Sequence, residues 1–150
     1  MNRFRLLLFT FFIFQLPVLS FSQSAAEMDA MLQADKVSAA EAAYFALGAA
    51  DQLQGIGSVQ SAYDSARSKG WVLAARDASL TAKDAAFLIM RAFGLKGGLM
   101  YSLLKNPRYA YREMVYKGLV SRMDQAERIS GAMFLSILDR TLSSVEGNMP

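Results

Sequence analysis

The chain has 150 residues, 53% of them hydrophobic, with sixteen lysines and arginines against thirteen acids and no histidine or cysteine. Those two absences remove the usual zinc sites, the Ser-His-Asp and Cys-His arrangements and imidazole bases. Most ordinary hydrolase chemistry is thereby excluded, with paired carboxylates the route left open, neither a metal nor a cofactor is expected, and stability has to come from packing alone.

Met1-Asn2-Arg3-Phe4-Arg5 carries two positive charges, and residues 6–19 are apolar apart from Thr10 and Gln15, with Pro17 near the end. The run is shorter than the roughly 20 residues of a membrane span, and Ser20-Phe21-Ser22 supplies small residues where a signal peptidase reads them. Residues 1–22 therefore read as a secretory signal peptide cut between Ser22 and Gln23, with an uncleaved anchor as the rival reading. An exported product, periplasmic or associated with the cell envelope, follows, with no membrane span after cleavage. Removing 22 residues leaves 128, enough for one domain, with fourteen basic residues against thirteen acids and a charge of about +1. Nucleic acid is not an expected partner of so neutral a surface.

Residues 23–36 form a lead-in, with Met28, Met31 and Leu32 spaced for a short amphipathic helix or a frayed segment. Ser38 and Glu41 then make a Ser-x-x-Glu capping box ahead of an apolar helix through Ala42, Ala43, Tyr44, Phe45, Leu47 and Ala50. Gly55 and Gly57 lack the third glycine of a dinucleotide fingerprint and mark a loop. Val59, Ala62, Tyr63 and Ala66 give a one-sided surface helix that Gly70 stops. Thr81, with Asp84 opposite, caps a helix whose Ala85, Ala86, Leu88, Ile89, Ala92 and Phe93 cover most of its circumference, which makes it central. Gly94, Gly97 and Gly98 break the chain, residues 99–104 add a short helix, and Asn106-Pro107 opens a surface helix over residues 108–117 closed by Gly118. Ser130 caps the last helix, with Met133, Phe134, Ile137, Leu138 and Leu142 on one side, and residues 143–150 are expected to be a loose tail.

Three of these segments repeat one pattern. Val37-Ser38, Leu80-Thr81 and Ile129-Ser130 each set an aliphatic residue before a hydroxyl residue and an apolar helix, at offsets of 43 and 49 residues. Ala62-Tyr63 and Lys69-Gly70-Trp71-Val72 align with Ala110-Tyr111 and Lys117-Gly118-Leu119-Val120 at a constant offset of 48. The unit is surface helix, Lys-Gly turn, extended piece and core helix, present twice after one lone core helix.

This order of elements is similar to the S-layer homology (SLH) domain family, over residues 37–142. The resemblance implies an all-α fold of SLH-like repeats, with three core helices in a pseudo-threefold bundle and the other helices outlying. It also implies noncovalent attachment to peptidoglycan or wall polysaccharide. The chain departs from the motif where it matters for sugar. The family's ligand-binding arginine falls on Ala39, Ala82 and Gly131, and its glutamate falls on Glu41, Asp84 and Met133. The fold therefore carries over better than the binding chemistry, and an envelope protein is the alternative partner.

Residues 105–112 interleave basic and aromatic side chains, and Arg108, Tyr109 and Arg112 are candidates to hold an anionic glycan by charged hydrogen bonds and stacking. The competing reading is a plain surface helix with Tyr111 inward and Arg112 solvated. Trp71 is a stacking platform or a plug over the core, and Lys83 completes the candidate set. Ser38, Thr81 and Ser130 are read as core-helix caps. The scattered acids fit capping and surface roles, so the chain is expected not to be an enzyme.

Overall fold

The computed structural model describes residues 16–147, and side chains from residue 25 onward. Most of the expected signal peptide lies outside the described residues. The described part is all-α, with seven helices: α1 (Leu16–Gln33), α2 (Ala39–Ala49), α3 (Val59–Ser68), α4 (Ala82–Ala92), α5 (Leu99–Leu104), α6 (Pro107–Tyr116) and α7 (Gly131–Glu146). Two isolated antiparallel bridges, Ser38 with Ser79 and Thr81 with Arg128, are the only extended pairing among the described residues.

The hydroxyl residues do what their spacing predicts. Ser38 Oγ accepts from the Glu41 N–H at 3.2 Å while the Glu41 carboxylate accepts from the Ser38 N–H at 3.1 Å, closing the box. Thr81 Oγ1 accepts from the Asp84 N–H, and Ser130 Oγ from the Met133 N–H at 3.2 Å. Each satisfies one donor that a helix start leaves without an intrahelical partner. Ser58 and Asn106 cap α3 and α6 in the same way; Asn106 is expected to open its helix, whereas Ser58 carries no such expectation. Ser38→Ala is expected to cost about 1 kcal/mol, read as a lowered urea midpoint at constant slope.

The residues before the three caps are joined to one another. Val37 N–H donates to the Ile129 carbonyl at 3.1 Å, Ile129 N–H to the Leu80 carbonyl at 3.2 Å, and Leu80 N–H to the Val37 carbonyl at 2.9 Å. The three bonds close a ring, and all three side chains are buried. Around it, the first helical N–H of each core helix finds a carbonyl on another segment: Ala39 on Ala78, Ala82 on Glu127 and Gly131 on Ala34, at 3.0, 2.8 and 2.9 Å. A buried helix start without such partners would leave orphaned donors, so the ring and its neighbours let α2, α4 and α7 begin at one buried centre.

The surface helices are matched in detail. Both end at a lysine, Lys69 or Lys117, followed by a glycine at positive φ, 68° at Gly70 and 73° at Gly118, a conformation that L side chains rarely adopt. The next N–H then returns into the helix, Trp71 to Ala66 and Leu119 to Met114, both at 2.9 Å. Tyr63 and Tyr111 each turn a hydroxyl onto a later carbonyl, Ala74 at 3.0 Å and Met123 at 2.6 Å. α3 packs on α2, and α6 on α4.

One open alternative is decided and two expectations change. The lead-in is helical to Gln33 with Met31 buried, and α1 packs on α7. In the last helix Met133 is 39% exposed and Leu142 37%, whereas Thr141 is fully buried and donates its hydroxyl to the Ile137 carbonyl at 2.8 Å. The inward stripe is Phe134, Ile137, Leu138 and Thr141, because a hydroxyl that bonds its own helix can be buried where a longer side chain is not required. The helix also runs past Leu142 to Glu146, beyond the start of the expected tail.

Candidate functional site

Asn106 and Pro107 set the direction of α6: the amide oxygen accepts from the Tyr109 N–H at 3.2 Å, and proline fills the first helical position, where no N–H is needed. Ala110, Tyr111 and Met114 then face the core. This leaves Arg108 and Arg112 exposed and Tyr109 half-buried at the edge. Tyr109 and Arg112 line a cleft of about 460 Å³ between α5 and α6, with Leu99, Met100, Tyr101, Glu113 and Tyr116 as further walls. The Glu113 carboxylate accepts from the Gly98 N–H at 2.8 Å, which ties the start of α5 to α6 and holds the cleft's shape.

The other candidates lie apart. Arg108 does not line the cleft. Trp71 is half-buried against the core, with Lys69 Nζ 4.4 Å from its ring centroid, so one face already holds a cation. Lys83 sits in the first turn of α4, its N–H bound to the Gln125 carbonyl at 3.1 Å. Ser38, Thr81 and Ser130 are engaged by their own helices.

The positions that align with the family's arginine are closed. Ala39, Ala82 and Gly131 are buried at the ring, and Glu41 and Asp84 are turned onto their caps.

No family model, curated protein or solved structure matches the chain.

Two further surfaces escaped sequence reading. A cavity of about 450 Å³ behind α5 is lined by Arg91, Lys96, Ser102 and Lys105 together with Tyr101 and Met90. Burial raises the Tyr101 hydroxyl above its ordinary pKa, and the Arg91 guanidinium opposes that shift. Its basic residues are spread over a connector broken by glycines, so no periodicity announces them. The second surface is an apolar groove of about 490 Å³ between α1, α2 and α7, walled by Met28, Leu32, Tyr44, Phe45, Leu53 and Leu142. It depends on the docking of α1, which a local pattern does not specify.

Among the described residues no helix is long and apolar enough to cross a membrane, and no three acids gather where they could hold a metal ion.

Proposed function

We propose that the chain is an exported, non-enzymatic module of the cell envelope. In this reading it is built on an SLH-like pseudo-threefold scaffold and associates noncovalently with peptidoglycan or wall polysaccharide through the cleft between α5 and α6. The observation that carries the binding surface is that Tyr109 and Arg112 open onto one cleft, where a guanidinium meets carboxylates and a phenol ring meets sugar faces. The closed ring of Val37, Leu80 and Ile129 supports the scaffold. The basic and apolar leader supports export. The absence of histidine and cysteine supports a binding role over an enzymatic one.

Co-sedimentation of the protein with purified sacculi tests the reading. The Tyr109→Ala/Arg112→Ala variant is expected to lose about tenfold in retained protein, since one charge-assisted hydrogen bond and one ring contact together are worth at least ~1.4 kcal/mol. Wild type that stays in the supernatant at low salt would overturn it.

A second reading, an envelope protein as partner, is favoured by the apolar groove beside α1, which suits an amphipathic segment of another chain. Site-specific crosslinking from Leu32 and Leu142 in cells separates the two, because a glycan partner yields no protein adduct.

A further inference from the structure

The connection from α4 to α6 is longer than its counterpart from α2 to α3 and contains an extra helix, α5. Little of that helix is used for packing. Tyr101 is buried, but Leu99 is 84% exposed, Leu103 74%, and Met100 and Leu104 are at least half exposed, with Tyr116 at 88% on the neighbouring α6. Single exposed leucines are ordinary, but a cluster of large apolar side chains on one projection marks an interaction surface. The projection is held firmly. A Cβ on Gly97 would come within 2.5 Å of the Tyr101 ring, Glu113 holds the Gly98 N–H, and Lys105 closes the helix in the left-handed region at φ 42°.

Charge is concentrated at the same place. Residues 91–117 contain six lysines and arginines and one acid, Glu113, whereas the rest of the chain after residue 22 carries eight basic residues against twelve acids. Arg91, Lys96 and Lys105 line the cavity behind the projection, and Arg91 Nε is buried without a hydrogen-bond partner among the described residues.

We propose that α5 is an interfacial anchor by which the protein docks on an anionic lipid surface, with Leu99, Leu103 and Leu104 entering the acyl boundary and Arg91, Lys96 and Lys105 receiving headgroup phosphates. An apolar tip ringed by cations and bearing an exposed tyrosine matches the order of a bilayer surface from acyl chains outward. A helix of six residues, about 9 Å long, is too short to fill a groove in a protein as an amphipathic helix does, and aliphatic tips offer nothing to a hydroxylated sugar. The chain lies on the membrane in this mode and does not cross it. The tip shares Leu99, Met100 and Tyr116 with the cleft of the wall-polymer reading, but Leu103, Leu104, Lys96 and Lys105 lie outside that cleft, so the two readings can be tested apart.

The test is flotation of the full chain with vesicles of phosphatidylcholine alone and of phosphatidylcholine mixed equally with phosphatidylglycerol. Wild type is expected to prefer the mixed vesicles by at least about tenfold and to lose that preference in high salt. Leu103→Ser/Leu104→Ser, at positions outside the cleft between α5 and α6, should reduce binding to the mixed vesicles by at least about tenfold. Its melting temperature should stay unchanged, because both side chains are exposed. A retained leader would add equal binding of wild type and variant to both vesicle types, so the differences remain readable. Lys96→Gln/Lys105→Gln is expected to remove the preference for anionic lipid, and sacculus binding should survive in both variants. Equal binding of wild type and both variants to the mixed vesicles would overturn the proposal. So would a wild-type dimer that the serine variant makes monomeric while vesicles bind neither, which would assign the surface to a second copy of the chain.

Discussion

A Gly131→Ala variant is expected to lose about 3 kcal/mol of stability and to melt on the order of 10 °C lower, although it adds a single methyl group. A Cβ built at Gly131 would stand 1.7 Å from the Met31 carbonyl oxygen and 2.8 Å from its carbon. Both are backbone atoms near the end of α1, so no rotamer change relieves the overlap and the end of α1 has to move. Movement removes the Gly131 N–H bond to the Ala34 carbonyl, about 0.5–1.5 kcal/mol, and exposes Met31, about 1.5–3 kcal/mol. Hydrogen exchange separates this cause from a general loss: residues 25–36 should lose protection first, while α4 keeps it until global unfolding. An unchanged melting curve would refute the docking of α1. The same contact leaves no room for any side chain at this position, since each would meet the α1 backbone.

The gap between what could be read from residue order and what could not follows the range of the interactions. The caps at Ser38, Thr81 and Ser130 are three-residue events, and the Lys-Gly turns are decided by one glycine each, so both were legible. The ring of Val37, Leu80 and Ile129 is made of backbone groups far apart in the chain, and no side-chain pattern encodes backbone pairing at that distance. Side-chain direction was legible where apolar and charged residues alternate cleanly, as on α3 and α6. It was misread on α7, where Met133 and Thr141 exchange their expected places because a threonine can satisfy its hydroxyl within the helix. Tyr109 and Arg112 could be grouped because positions three apart share a helix face. Trp71 and Lys83 belong to other segments, and only tertiary packing decides whether they join that face.

Phe134→Ala, in contrast with Met133→Ala, tests the register of the last core helix. Phe134 is fully buried, the bulkiest side chain of the core to be so, and Met133 beside it is 39% exposed. Truncating a buried phenylalanine removes its transfer energy and leaves a cavity that the close-packed helices around it fill only in part, a loss of about 3–5 kcal/mol. A domain of this size holds a stability of about 5–15 kcal/mol, so a substantial fraction disappears with one side chain. Met133→Ala leaves no enclosed void and should cost less than about 1 kcal/mol. Urea unfolding at equal protein concentration reads both: a much lower midpoint for Phe134→Ala, a small shift for Met133→Ala, and a common slope for the two. Equal losses would rotate α7 about its axis and with it the face presented to α1. Reversed losses would put Met133 inside and Phe134 outside, at odds both with the structure and with the stripe expected from apolar spacing, which holds the two together. The asymmetry matters for function as well, because α7 supplies Leu135, Leu138 and Leu142 to the groove beside α1. With Phe134 inward, those three leucines share the wall facing that groove, so the core residue that anchors the helix also fixes the surface available to a partner.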